Sequence, residues 1–128
     1  MRILLAAAPV IHREQAFNLQ TILEYMKTYC ERAELIVFGE AVLQGFDSLC
    51  WHYEEDRTVA VALTDASIVK IRAAAKRRHI AVSFGMIERR SGSLYSTQLF
   101  IGANGEIVNV FHRVSPGWKD RSQTDGHY

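Results

Sequence analysis

Cysteine, proline and glycine are all scarce in this chain. Its 128 residues include two cysteines, two prolines and eight glycines. Two thiols, Cys30 and Cys50, exclude a disulfide framework and a four-cysteine zinc site. So little proline and glycine excludes a collagenous or low-complexity chain. A surplus of one charge is missing as well. Fifteen basic against fourteen acidic residues leave a formal net charge of +1, which argues against a nucleic-acid partner. A membrane span is lacking too, since the longest clean apolar run, Ile3–Ile11, has nine residues where a spanning helix needs roughly 20. That run follows only one basic residue, Arg2, so it reads as a first strand rather than a signal peptide. A cytoplasmic location is the expectation. No dinucleotide, P-loop, zinc-protease or serine-hydrolase motif occurs.

What is present fits one soluble globular domain. The chain is 48% hydrophobic and 23% charged, and its length lets it bury roughly two-thirds of the surface its unfolded form exposes. Arg2–Ala8 reads as a buried strand ended by Pro9. From His12 to Ala33, apolar residues recur at Leu19, Ile22, Leu23, Met26 and Cys30, the stripe of an amphipathic helix. Glu34–Phe38 is continuously apolar after its first residue, as in a strand covered on both faces. Residues 39–56 have no clean period and form a long excursion. Thr64 or Asp65 caps a helix running to about Arg78, followed by a strand over Ile80–Gly85. Leu94–Gly102 and Glu106–Arg113 are strands joined by Ala103-Asn104-Gly105, a hairpin signal. The order β-α-β-loop-α-β-β-β predicts an α/β layer structure with antiparallel strands added at one side.

Glu40 is the informative residue. It stands at the carboxyl end of the second strand, where α/β sheets place their ligand sites. A carboxylate held there can act as a general base. The plainer reading is a loop glutamate that ends the strand. The run Lys76-Arg77-Arg78-His79 is a solvated helix end whose cations complement the helix dipole.

Residues Ala33-Glu34-Leu35-Ile36-Val37-Phe38-Gly39-Glu40, followed by Leu43 and Gly45-Phe46, resemble the "A-D-L-I-V-F-P-E … L-x-G-Y" signature of the nitrilase superfamily, the carbon–nitrogen hydrolases. Further pieces follow in order. Ile80-Ala81-Val82, Gly85 and Glu88-Arg89 resemble "I-x-I-x-x-G-x-x-E-R". Leu94-Tyr95-Ser96-Thr97 resembles "L-Y-N-S", with Ser96 at the usual asparagine. Asn104-Gly105-Glu106-Ile107 and Phe111-His112-Arg113 resemble "D-G-x-I … Y-R-K".

The resemblance implies that the chain is the N-terminal portion, residues 1–128, of a single carbon–nitrogen hydrolase domain, part of a nitrilase-like αββα sandwich. It implies a small amide, carbamoyl compound or nitrile as substrate, and a glutamate, lysine and cysteine as catalytic groups. In the family the thiolate attacks carbon, the glutamate shuttles the proton and the lysine stabilises the oxyanion. Glu40 matches the base. Strict register puts Arg113 at the lysine, and Lys119 follows six residues later. A planar guanidinium does not replace an ammonium directly, so Lys119 is the preferred candidate. Asp125 falls where some members carry a second glutamate.

The family's cysteine follows the lysine by a few tens of residues and is absent from these 128. Cys30 reads as an inert thiol on a helix stripe. Cys50 has His52 nearby, which could favour its thiolate. His52 and Tyr53 are expected to line the mouth of the pocket. No metal or organic cofactor is implied. Two other readings compete: a non-catalytic truncated or partner-dependent subunit of the same fold, and an unrelated flavodoxin-like binding domain. Half a sandwich should expose an apolar sheet face, so a homo-oligomer or a poorly soluble chain is expected.

Overall fold

The computed structural model describes residues 1–114 and 127–128. Three short apolar segments and a long hairpin make one five-stranded sheet in the order β1-β2-β3-β4-β5. Strands β1 (Ile3–Ala6), β2 (Leu35–Phe38) and β3 (Ala81–Arg90) are parallel. Strands β4 (Ser93–Ile101) and β5 (Ile107–His112) continue the sheet antiparallel. Helix α1 (Gln15–Tyr29) connects β1 to β2, and α3 (Ala66–Arg78) leads into β3. A single helical turn, α2 (Tyr53–Asp56), lies in the excursion. Four residues carry no readable period, which is why the sequence reads as loop there.

Local chemistry sets the boundaries. The first helix begins at Gln15 rather than His12, because Arg13 takes a left-handed φ of 64° and Glu14 is non-helical. Asp65 caps α3 as expected, its Oδ1 accepting from Ser67 N at 2.9 Å. Strand β3 runs five residues past Gly85, because β4 pairs with it continuously from Val82 to Arg90. The reversal at Ser91-Gly92 is left-handed at both residues. At the β4–β5 turn Gly105 has a φ of 81°, and Asn104 Oδ1 accepts from Glu106 N at 3.0 Å.

Both helices pack on one face of the sheet. Ile22 and Met26 of α1, Ile68 and Ile71 of α3, and Ile36, Val82, Phe84, Leu99 and Ile101 of the strands are fully buried together. The other face carries Ile3, Leu5, Leu35, Val37, Phe100 and Phe111 by strand alternation. The expectations of a buried β1 and of a β2 covered on both faces are therefore corrected. Leu5 is 77% exposed and Ile3 53%, because no second layer lies over them among the described residues.

Candidate active site

The candidate site opens on that uncovered face, at the carboxyl end of β2. Glu40 follows the strand by two residues, and Ala41 then turns the chain back with a φ of 49°. A left-handed alanine is strained by about 1 kcal/mol, so something must hold it. The Ala41 carbonyl accepts from Gly45 N at 2.7 Å and Gln44 N at 3.2 Å. Gln44 is fully buried and grips the Ile87 peptide of β3, its Nε2 donating to the carbonyl and its Oε1 accepting from the amide, both at 2.9 Å. Gly85 N donates to Gly39 O at 3.0 Å, and Leu43 N to Gly85 O at 3.3 Å. The Glu40 turn is thus laid directly on β3. Only glycine allows it, since a Cβ at position 85 would stand 2.3 Å from Ala41 N and 2.6 Å from Glu40 Cα.

One carboxylate oxygen of Glu40, Oε1, accepts from Ser96 Oγ at 2.7 Å and from Arg113 Nη1 at 2.9 Å. Ser96 sits in β4 and Arg113 just past β5, and Arg113 N donates to Ser96 O at 2.9 Å. Side chains from beyond β2, from within β4 and from beyond β5 therefore converge on one carboxylate. Glu40, Ser96, Thr97, Gln98, Phe111 and Arg113 line a shallow cleft of about 160 Å³. Beside it, Leu35, Val37, Ser83, Gln98, Phe100, Asn109 and Phe111 line a broader groove of about 340 Å³. The two side chains of the Glu40–Arg113 pair are 40% and 33% exposed. Water screens such a pair, which stabilises the fold by about 1 kcal/mol at most. Its consequence is orientation.

The other expected residues fall in different places. Lys119 and Asp125 lie outside the described residues. His52 and Tyr53 do not line the described cleft. His52 is the N-terminal cap position of α2, and Tyr53 stacks on His127 at 4.2 Å and packs beside Ala41, Ile87 and Leu94. Tyr53 thereby packs behind the Glu40 turn. The hydrophobic spacing of the excursion carries no signal for this, because the contact is made with the far end of the chain.

Neither thiol is in the cleft. Cys30 ends α1, its Sγ 3.4 Å from Lys27 O. Cys50 lies 3.2 Å from Asp56 Oδ1 and 3.5 Å from Glu55 Oε2. The backbone hydrogen bond with His52 favours its thiolate, but burial and the two carboxylates outweigh that and push the thiol up. The neighbourhood thus deactivates Cys50 although His52 is close in sequence.

Asp56 is the hub of this second cluster. It is fully buried and accepts from Cys50 N at 2.9 Å, Trp51 N at 2.8 Å and Tyr128 Oη at 2.6 Å. Burial by itself would raise this carboxyl. The Tyr128 hydroxyl and the Cys50 and Trp51 donors outweigh it and hold the group below the ordinary aspartate range. The described residues contain no group of three or more histidine, cysteine or acidic side chains placed to hold a metal ion.

Ser96, Thr97, Gln98 and Phe111 also line the cleft and were not candidate site residues in the sequence. The resemblance aligned Ser96 with the family's usual asparagine, and strand alternation puts Ser96 and Gln98 on one face, but neither signal says that Glu40 meets them.

Comparison with known proteins gives the family and the fold. A carbon–nitrogen hydrolase family model matches residues 5–124. A bromoxynil-specific nitrilase from Klebsiella pneumoniae subsp. ozaenae is 31% identical over 108 residues, covering 77% of this chain and 31% of the nitrilase. An aliphatic nitrilase from Rhodococcus rhodochrous is 29% identical over 102 residues, 70% of this chain and 27% of its own length. The chain thus spans about a third of these relatives. A cysteine-to-serine mutant of the Nesterenkonia AN1 amidase, from the nitrilase superfamily, superposes with a TM-score of 0.80 at 18% identity, covering all of this chain and 48% of the amidase.

Proposed function

This chain belongs to the carbon–nitrogen hydrolase family, and we propose that it supplies the general-base half of a hydrolase site for a small amide, carbamoyl compound or nitrile. The observation that carries the reading is the Glu40 carboxylate, held by Ser96 and Arg113 over an open cleft at a strand end. A base must be fixed to accept a proton at one place, and a carboxylate with one oxygen tied keeps its second oxygen directed. In this reading Glu40 takes the proton from a thiol as sulfur attacks the substrate carbon, then passes it to the substrate nitrogen: an amide or carbamoyl compound then expels its amine, while a nitrile becomes a thioimidate that loses ammonia after water adds. A second proton, taken from water, lets hydroxide release the acyl group. Lys119 supplies the ammonium that faces the oxyanion, while Arg113 orients Glu40. The thiol comes from outside these 128 residues, because Cys30 and Cys50 are both directed elsewhere.

The same observation on the cysteines favours a second reading, a non-catalytic subunit that needs a partner. One experiment separates them. The whole reading frame is expressed and assayed for ammonia release from short aliphatic amides and nitriles. The hydrolase reading expects turnover, with Glu40→Gln lowering kcat by about a thousandfold and Lys119→Ala by at least a hundredfold. Turnover that survives Glu40→Gln sinks the assignment. A reading frame without a further cysteine leaves the partner-dependent subunit.

A further inference from the structure

Successive residues of a strand face opposite sides of a sheet. At the end of β5 this splits His112 from Arg113. Arg113 reaches the cleft and Glu40. His112 reaches the helix-covered side, where its Nε2 lies 2.8 Å from Oε2 of Glu88. Glu88 belongs to β3, two strands away, and its side chain is 2% exposed. Thr97, on the strand between, donates to the same oxygen at 2.7 Å. Tyr95 covers the imidazole, stacked at 4.6 Å. An ionised carboxyl only accepts hydrogen bonds, so in the ionised pair His112 Nε2 is the donor.

This tie is not where packing alone would put a charge. Val82, Phe84 and Met86 precede Glu88 on the same face of β3, and all three are fully buried apolar residues. A hydrophobic side chain would continue that row without desolvating a carboxylate. The tie also lies where the backbone holds least. Strand β5 is at the edge of the sheet among the described residues, and its last ladder pair is Thr97 with His112. Arg113 stands one residue beyond, held to the sheet backbone through Ser96 O.

We propose that Glu88 and His112 are positioning residues, which pin the end of β5 to β3 and so hold the Arg113 guanidinium on Glu40. The catalytic consequence rests on the hydrolase reading; the tie itself does not. Arg113 order is therefore measured first, without substrate, from relaxation of its Nε–Hε group by NMR in the protein from the whole reading frame. His112→Phe keeps an aromatic ring against Tyr95 but loses the donor. His112→Gln restores a donor at nearly the same place. The wild type and His112→Gln should show an ordered Arg113 side chain, and His112→Phe a mobile one, with the β3–β4 amides protected in all three. An Arg113 equally ordered in His112→Phe overturns the proposal, as does equal loss in both variants. Glu88→Met, which nearly keeps the volume but removes the acceptor, repeats the test from the other partner and should loosen Arg113 as well. In the hydrolase from the whole reading frame, His112→Phe should lower kcat at least tenfold with KM nearly constant, and His112→Gln should recover most of it. A change confined to KM would contradict a role through Arg113.

Discussion

Gly85 has no side chain because the Glu40 turn occupies the space. A Cβ there would overlap backbone atoms of Glu40 and Ala41, which cannot move aside as a flexible side chain would. Gly85→Ala should therefore destabilise the fold by about 3 kcal/mol, read as a lower denaturant midpoint with an unchanged slope. Asp56 gives a pH-dependent counterpart. Folding lowers its affinity for protons, so its contribution is complete above the unfolded carboxyl value of about 4. That contribution is lost as pH falls through the depressed folded value. Asp56→Asn should flatten the decline of stability in acid, and it should cost about 2 kcal/mol at neutral pH by weakening three buried hydrogen bonds. Thermal unfolding of both proteins from pH 7 to pH 3 checks this. An equal acid slope in the two would exclude Asp56 as its source.

At the scale of elements, the helices and the hairpin were legible and the excursion was not. Asp65 declares the start of α3 because capping is a contact between residues two apart. Asp65→Ala should cost about 1 kcal/mol, visible as a fall in the melting temperature with the site geometry intact. Asn104-Gly105 declares the hairpin for the same reason, since a turn is decided by the backbone preferences of its own residues. The excursion is different. Its one helical turn is organised by Asp56 and by Tyr128, 72 residues away. Gln44 in the same stretch finds its partner on β3, 43 residues away. No period or local composition encodes such contacts. The length of β3 was misjudged for a related reason, because its last five residues are strand through pairing with β4 and a bridge to Val61, both distant in sequence.

At the scale of the molecule, the sheet has one covered face and one open one. Ile3, Leu5 and Phe111 on the open face are 53%, 77% and 54% exposed, an apolar surface that water does not favour. The 128-residue chain by itself should associate. Sedimentation velocity should show species larger than a monomer at micromolar concentration, and Leu5→Lys with Phe111→Lys should shift the distribution toward monomer. A compact, fully soluble monomer would show that this face is compatible with water as it stands.

The sequence alone determined the family, the α/β order and the place of Glu40 just past a strand end. These follow from short-range signals: apolar runs, caps, turn residues and the segment ending in Glu40. Tertiary structure alone decided what Glu40 touches. Ser96 and Arg113 are 56 and 73 residues further along the chain, and only the register of β3, β4 and β5 brings them to one carboxylate. It also decided that Cys50 faces acids and that Tyr53 stands behind the site rather than at its mouth. A strand's alternation tells which residues share a face, but which strands lie side by side is fixed by packing over the whole sheet, and the site is made at that level.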